Sequence, residues 1–125
     1  MAESPITVTR ELFFERARPA AGLATPTRLF TSPARGYART SKIVIGNSGA
    51  ATTFNIWIGN QVDTETATTL ILPGAAIGAG GSTTFPSYIS LPGGDALVNG
   101  GWISVSSTSG NVSFHVHGTK VTITT

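Results

Sequence analysis

The chain has 125 residues, enough for one ordinary domain with its own core and too few for two. It contains no cysteine, which excludes disulfides, thiolate metal sites and cysteine nucleophiles. Only 11 % of the residues are charged, whereas 31 are Ser or Thr, a composition that favours strands over helices. So few charges also indicate a surface that is largely covered in an assembly.

The charge is divided unevenly along the chain. Residues 1–42 contain seven arginines and lysines against three glutamates, a net charge of +4, whereas residues 43–125 contain one lysine against three acids, a net charge of −2. The N-terminus lacks the layout of a secretory signal, and no apolar run reaches the ~20 residues that cross a bilayer. We therefore expect a basic front, a weakly acidic body and no membrane partner.

Residues 1–22 are predicted to form an N-terminal arm that orders against another surface, such as a neighbouring subunit. Its apolar residues fit the alternation of a strand, but the same stretch also fits a short helix. Pro19 ends either element, and the following Ala-Ala-Gly is typical of a hinge. Because Phe13 and Phe14 are adjacent, one of the two rings must face away from any single partner if the arm is a strand.

Residues 23–125 are predicted to form one β-domain, because short apolar stretches alternate there with turn residues. A spacing of about ten residues between turns is typical of a sandwich or jelly roll. The predicted fold class is therefore all-β, a jelly-roll-like antiparallel β-sandwich of about eight strands with an extended N-terminal arm. The predicted strands span residues 29–30, 37–45, 52–58, 68–72, 83–91, 102–106, 112–117 and 120–124.

Few residues offer catalytic or metal-binding chemistry. His115 and His117 would share one strand face, but no third ligand is near in sequence, so an ordinary solvent-facing or interface pair is favoured. Asp63 and Glu65 are spaced like a glycosidase pair, but their polar neighbours indicate an exposed loop. The glycine-rich run at 78–83 lacks the lysine and the helix of a phosphate loop. No cofactor and no enzymatic activity are predicted.

Trp57 and Trp102 are predicted to lie on the polar faces of their strands. In the strand 52–58 Phe54 and Ile56 alternate with Trp57, and the strand that begins at Trp102 alternates in the same way. A large ring on a polar face is either covered by something or offered to a ligand. Three alternatives are open: a neighbouring subunit covers the rings, the chain itself covers them, or they stack on a sugar.

The arginines of the basic front raise nucleic acid as a partner, since they would neutralise phosphates. They are interleaved with acids and prolines, however, and no nucleic-acid-binding signature is present. Contact with an acidic protein surface is the favoured use of this charge.

Five short motifs between residues 24 and 124 form a recognisable pattern. They are LFTSPA at 29–34, KIVIGNSGAA at 42–51, FNIWI at 54–58, LPGGD at 91–95 and VHG at 116–118. In this order they resemble small structural proteins of tailed bacteriophages. There an aromatic residue followed shortly by Pro-Ala leads to a strand ending in Asn-x-x-Gly, then to an aliphatic strand and a Leu-x-x-Gly-Asp turn.

This resemblance implies a β-sandwich component of a bacteriophage virion. A capsid decoration (cement) protein that stabilises the head by inter-subunit contacts is the favoured role; a neck, tail or fibre-attachment protein and a carbohydrate-binding module are the alternatives. The implied partners are the major capsid protein or other virion proteins, and a homo-oligomer such as a trimer is expected. The candidate interface residues are Leu12, Phe13, Phe14, Arg16, Arg18, Trp57 and Trp102.

Overall fold

A computed structural model describes residues 6–33, 35–60, 62–85, 89–92 and 100–124. These residues form strands joined by turns and contain no helix, and hence no helix long and apolar enough to cross a membrane. The strands are β1 (Thr7–Ala17), β2 (Thr27–Thr31), β3 (Gly36–Asn47), β4 (Thr52–Gly59), β5 (Leu70–Ile77), β6 (Ser82–Phe85), β7 (Ile89–Pro92), β8 (Trp102–Ser107) and β9 (Val112–Thr124).

The strands form two antiparallel sheets. The first has the order β1-β9-β3-β6, with β7 also paired to β3, and the second has the order β2-β8-β4-β5. The pairing is nested: β1 with β9, β2 with β8, β3 with β6 and β7, and β4 with β5. Nested pairing distributed over two sheets is the topology of a jelly roll. The predicted fold class, an all-β antiparallel sandwich, is confirmed.

The core lies between the two sheets and is built from alternate residues of the long strands. Ile43 and Ile45 of β3 and Phe54 and Ile56 of β4 are at most 2 % exposed, and all four belong to one buried apolar cluster. Phe54 meets Phe114 of β9 edge to face, with ring centroids 5.7 Å apart. The alternation in the sequence therefore identified correctly which face of β4 points into the core.

The predicted arm forms a strand and orders against its own chain. All eleven residues of β1 pair with β9 without a register shift, from Thr7 opposite Thr124 to Ala17 opposite Phe114. Phe13 points into the sandwich and stacks on Phe30, with ring centroids 4.1 Å apart. This answers the choice between helix and strand that the sequence left open, because a strand ladder needs a partner strand that only the fold supplies.

The fifth strand extends further than predicted. The sequence predicts an end at residue 72, before Pro73 and Gly74, but β5 continues through both residues to Ile77. This is possible because β5 is an edge strand, where the missing N–H of proline costs no ladder hydrogen bond. Gly74 adopts a φ of 55°, its N–H donates to Oδ1 of Asn55 at 2.6 Å, and the register against β4 shifts there.

Two other strand predictions are also corrected. The predicted strand 83–91 is two strands, β6 and β7, each paired with β3, and residues 86–88 between them lie outside the described residues. Conversely, the predicted strands 112–117 and 120–124 are one continuous strand, β9. The glycine at 118 was interpreted as a break, but its missing side chain leaves room for a ring from β1 while the ladder continues.

The turn after β3 depends on one side chain. Asn47 accepts a hydrogen bond from the N–H of Gly49 at 3.0 Å and donates to the carbonyl of Ala50 at 2.8 Å. This local bonding explains why the Asn-Ser-Gly sequence ends the strand. Of the predicted turn at 91–95, Leu91 and Pro92 belong to β7, and residues 93–95 lie outside the described residues.

Candidate interaction surface

The outer face of the first sheet is defined by the side chains of β1, β9 and β3 that point away from the core. Phe13 of β1, Val116 of β9 and Ile43 of β3 are buried in the sandwich. Their immediate neighbours along each strand must point the other way, and residues directly opposite each other in an antiparallel pair share a side. The registers between the strands therefore fix the composition of this face.

Four rows of residues cross the outer face from β1 over β9 to β3. Each row contains one arginine or lysine together with an aliphatic or aromatic side chain. In that strand order the rows are Arg10–Val121–Tyr37, Leu12–Thr119–Arg39, Phe14–His117–Lys42 and Arg16–His115–Val44.

Large apolar side chains are concentrated on this face. Leu12 is 86 % exposed, Val8 57 %, Phe14 50 % and Tyr37 39 %. With Ile6, which precedes β1 on the same alternation, they make up five of the seven exposed large hydrophobic residues in the described part of the chain. Burying a Leu or Phe side chain contributes about 1.5–3 kcal/mol. So large an apolar surface on one sheet face makes it a candidate site of contact.

The charge of the outer face has a single sign. Arg10 and Arg16 of β1 and Arg39 and Lys42 of β3 are exposed, and none of them forms an ion pair with a described residue. The carboxylates of β1, at positions 11 and 15, point to the opposite side of the strand. Among the described residues the face therefore carries four cations and no carboxylate.

A groove of about 730 Å³ is open on this face between β1 and β3. Thr119 and Val121 of β9 lie at its floor, and Leu12 and Arg39 line it from either side. Phe14 and His117 also line the groove and pack edge to face, with ring centroids 4.6 Å apart. The apolar and cationic side chains thus surround a concave surface.

Arg18, a predicted interface residue, is bonded within the chain. Its Nε donates to the carbonyl of Gly110 at 2.8 Å, and its Nη2 donates to Oδ1 of Asn111 at 3.3 Å. These bonds tie the chain after β1 to the turn between β8 and β9. Arg16 lies on the outer face beside Phe14, so of the two arginines it is the one available to a partner.

Trp102 is covered by the chain itself. The indole is 1 % exposed, the guanidinium carbon of Arg28 lies 4.1 Å from the ring centroid, and a Cβ at Gly59 would overlap the ring. Arg28 Nε donates to Glu65 at 2.6 Å, and the Ser104 hydroxyl donates to the same oxygen at 2.7 Å. Nε1 of the indole has no partner among the described residues.

These contacts change the pKa of the Glu65 carboxyl. Burial by itself raises the pKa, but hydrogen bonds from Ser104 and Arg28 and the charge of Arg28 outweigh it, and the pKa lies below its ordinary value of 4.5. Asp63 accepts a hydrogen bond from the N–H of Asn60 at 2.8 Å and shapes the same loop. In this structure both carboxylates have structural contacts of their own.

Trp57 lies on the same side of the second sheet as Trp102, away from the core as predicted, and is 6 % exposed. This side is covered by the segment that follows β1. The carbonyl of Leu23 accepts hydrogen bonds from Asn55 at 3.2 Å and from Ser106 at 2.5 Å. The cover therefore comes from the chain itself, one of the three alternatives left open. Buried indoles offer no stacking platform to a sugar, and their role at a subunit interface stays a prediction.

The other chemical hypotheses gain no support from the geometry. His115 and His117 lie side by side on the outer face against Phe14, and no group of three possible metal ligands occurs among the residues that the structure describes. In the glycine-rich turn, the N–H groups of Gly80 and Gly81 donate to carbonyls of the chain at 3.2 and 3.1 Å. These two amides are therefore occupied, whereas a phosphate loop keeps its amides free.

Several residues of the outer face were missed from the sequence. Leu12, Phe14 and Arg16 were named as interface candidates, and Arg39 only as one of the arginines that could contact an acidic partner. Tyr37 was assigned only to a strand and Arg10 only to the arm. The alternation of β3 signals that Tyr37 and Arg39 share a side, but only the pairing of both strands with β9 places them beside β1.

No protein-family model matches the chain, and no curated protein matches its sequence. Among solved structures, it is similar to a chain of the acidic stable capsid structure of Helicobacter pylori bacteriophage KHP30. The two share 11 % sequence identity with a TM-score of 0.46, over 97 % of this chain and 99 % of that chain.

Proposed function

We propose that this protein is a structural component of a bacteriophage virion, specifically a capsid decoration protein that binds its neighbours through the outer face of the first sheet. One observation carries the proposal. A single sheet face presents Leu12 at 86 % exposure and Phe14 at 50 % beside four cations that form no ion pair with a described residue. A surface of this composition is typical of one that binds another protein.

Three further features support a structural role. The jelly-roll fold occurs in viral capsid domains, although it also serves lectins and cupins and so does not decide the function. The motifs that resemble tailed-phage structural proteins lie mostly on described strands, including β3 and β4. The carboxylates that might have served catalysis in the body are bonded within the chain.

A position at the neck, tail or fibres is the alternative within the same class. It would use the same contact surface, and the two positions differ in the number of copies per particle. Particles are therefore purified from the lysate in which the chain is produced, and its copies are counted by quantitative mass spectrometry against the major shell protein. A copy number comparable with the shell protein supports decoration, a small fraction of it moves the protein to the neck or tail, and absence overturns the virion proposal.

The role of the outer face is tested with two matched variants. Leu12→Glu changes the most exposed residue of the face, and Val62→Glu makes the same change at a residue that is 87 % exposed in the loop between β4 and β5. We expect Leu12→Glu to lose particle binding and Val62→Glu to retain it, at equal thermal stability. Equal occupancy of both variants would show that another surface makes the contact.

A further inference from the structure

We infer that the outer face binds an acidic surface of a different protein, and not a second copy of this chain. This inference rests on the proposed function and names the partner's chemistry. The face is a pattern of four cations around Leu12 and Phe14, and none of the described carboxylates lies on it. Such a pattern selects its partner by charge as well as by apolar contact.

A symmetric contact between two copies is opposed by this charge. Two such faces in contact would bring four cations against four, and each pair of like charges at 4 Å costs about 1 kcal/mol in water and more where water is excluded. Arg10, Arg16, Arg39 and Lys42 form no ion pair with a described residue that would offset this repulsion. A two-fold dimer through the outer face is therefore disfavoured.

An asymmetric contact between copies finds no matching surface among the described residues. Four carboxylates are described, and two of them, Asp63 and Glu65, accept hydrogen bonds within the loop and from β2 and β8. The other two, Glu11 and Glu15, lie on the same strand as Arg10 and Arg16. Among the described residues no acidic patch matches four cations, which favours another protein as the source of the complementary surface.

The shape of the face favours protein over other anionic partners. The phosphates of nucleic acid would neutralise the arginines but leave Leu12 and Phe14 uncovered. A flat lipid surface would not fill a concave groove of about 730 Å³. A protruding protein segment fills the groove and covers the apolar residues at the same time.

The geometry also specifies the spacing of the partner's carboxylates. Arg10 and Arg16 are six residues apart on β1, which is about 20 Å at 3.3 Å per residue. Arg39 and Lys42 lie between them in the lengthwise direction, two strands away, which is about 10 Å. We expect carboxylates at these separations around an apolar centre.

The test uses the full chain and defined probes. A fluorescein-labelled peptide of alternating Glu and Leu is titrated against it, with a Lys–Leu peptide, a DNA duplex and phosphatidylserine-containing vesicles as competing classes. The expected result is binding of the Glu–Leu peptide that weakens about tenfold between low and physiological salt. The double variant Arg10→Gln/Arg39→Gln should weaken it by about tenfold more. Lys120→Gln, on the opposite side of β9, should have no effect.

Other results would overturn the inference. These are failure of the Glu–Leu peptide to bind, tighter binding to the Lys–Leu peptide, DNA or vesicles, or a homodimer in sedimentation equilibrium that Leu12→Glu dissociates. Particle occupancy of the double variant separates this inference from the proposed function. Wild-type protein on particles with unchanged occupancy of the variant contradicts the inference alone, whereas absence of wild-type protein contradicts the proposed function itself.

Discussion

At the scale of single residues, the contacts around Trp102 join elements that are far apart in the chain. Glu65, in the loop between β4 and β5, accepts hydrogen bonds from Arg28 of β2 and Ser104 of β8. Arg28 also lies over the buried indole, 4.1 Å from the ring centroid. Because this cluster contains a carboxyl whose pKa is lowered by its partners, its contribution to stability depends on pH.

Acid should weaken this contribution. A carboxyl with a lowered pKa in the folded state stabilises the protein above its unfolded value of 4.5, and the stabilisation is lost as the pH falls through the folded value. We expect Glu65→Gln to lower the free energy of unfolding at pH 7 by up to about 1 kcal/mol, since the pair is partly exposed. Urea unfolding at pH 7 and pH 3 should show this difference shrinking at pH 3, and an equal difference at both values would contradict the assignment.

Gly118 is a second residue whose identity is restricted by its close neighbours, because they leave no room for a side chain. A Cβ there would collide with the carbonyl of Arg39 and would lie 2.7 Å from the ring of Phe13. Gly118→Ala should therefore destabilise the fold by about 1–3 kcal/mol, because a backbone atom cannot move aside cheaply.

Gly46 supplies the matched control, since it lies in β3 of the same sheet and a Cβ added there would meet no atom within 4 Å. Gly46→Ala should leave the unfolding midpoint unchanged or raise it slightly. Thermal and urea unfolding of the two variants side by side provide the measurement. Equal stability of both would show that β1 and β3 are not held as close to Gly118 as described.

At the scale of elements, β1 is an edge strand with two unlike faces. Phe13 is 7 % exposed and stacks on Phe30 of β2, whereas Phe14 is 50 % exposed and packs on the histidines of β9. The two adjacent phenylalanines therefore have different roles. Phe13 attaches the strand to the core, and Phe14 contributes to the outer face.

This separation predicts opposite effects of the same substitution. Phe13→Ala should cost about 3–5 kcal/mol of unfolding free energy and increase hydrogen exchange along β1 and β9. Phe14→Ala should cost much less while reducing particle binding. Exchange measured by mass spectrometry, together with binding to purified particles, distinguishes the two. Loss of stability in Phe14→Ala alone would reverse the assignment of the faces.

The sequence predicted the element types well and the boundaries less well. The alternation of Phe54 and Ile56 with Trp57 predicted which side of β4 faces the core. Phe54 and Ile56 belong to the core cluster, and Trp57 does not. Pro73 and Gly118 were both interpreted as breaks, and both lie within strands. An edge position and a neighbouring ring made each residue acceptable, and neither condition is visible in local sequence.

The candidate surface was predictable only in part, for a related physical reason. Leu12 and Phe14 were suspected because they are apolar residues of an arm that was predicted to order against another surface. Their grouping with Tyr37 and Arg39 depends on β9 pairing with both β1 and β3, a register that no local pattern encodes. The division of the chain at residue 22, with an arm before it, stays a prediction.

At the scale of the whole molecule, the cations that form no ion pair with a described residue are concentrated on the outer face of the first sheet. Arg18 and Arg28 of the basic front are bonded within the chain, and Arg10, Arg16 and Arg39 lie on the outer face. The net charge of the whole chain, +2, therefore understates how strongly positive this one face is. The surface opposite, on the second sheet, buries its two indoles under the chain's own loops.

Binding to particles should accordingly depend on ionic strength. Raising the salt from 50 to 500 mM shortens the Debye length from about 14 Å to about 4 Å, so attraction to an acidic partner weakens while apolar contact is retained. We expect partial release of the wild-type protein and a much weaker salt response in an Arg10→Gln/Arg16→Gln/Arg39→Gln variant, which keeps only Lys42 of the four cations. Sedimentation of particles followed by quantification of the bound chain provides the measurement, and release that is the same for both would exclude a charged contact.

The nested pairing of strands also determines the order in which the strands can pair while the chain is synthesised. Thr7 pairs with Thr124, so the ladder that holds β1 joins two ends of the described chain. During synthesis on the ribosome β1 emerges before the other strands and its partner β9 after them. Leu12 and Phe14 therefore lie on an unpaired strand while the rest of the sandwich is synthesised. Contacts this distant in sequence close slowly. The outer face is therefore complete only once β9 has emerged, and until then β1 is an unpaired strand with exposed apolar residues, the kind of segment that is prone to aggregation.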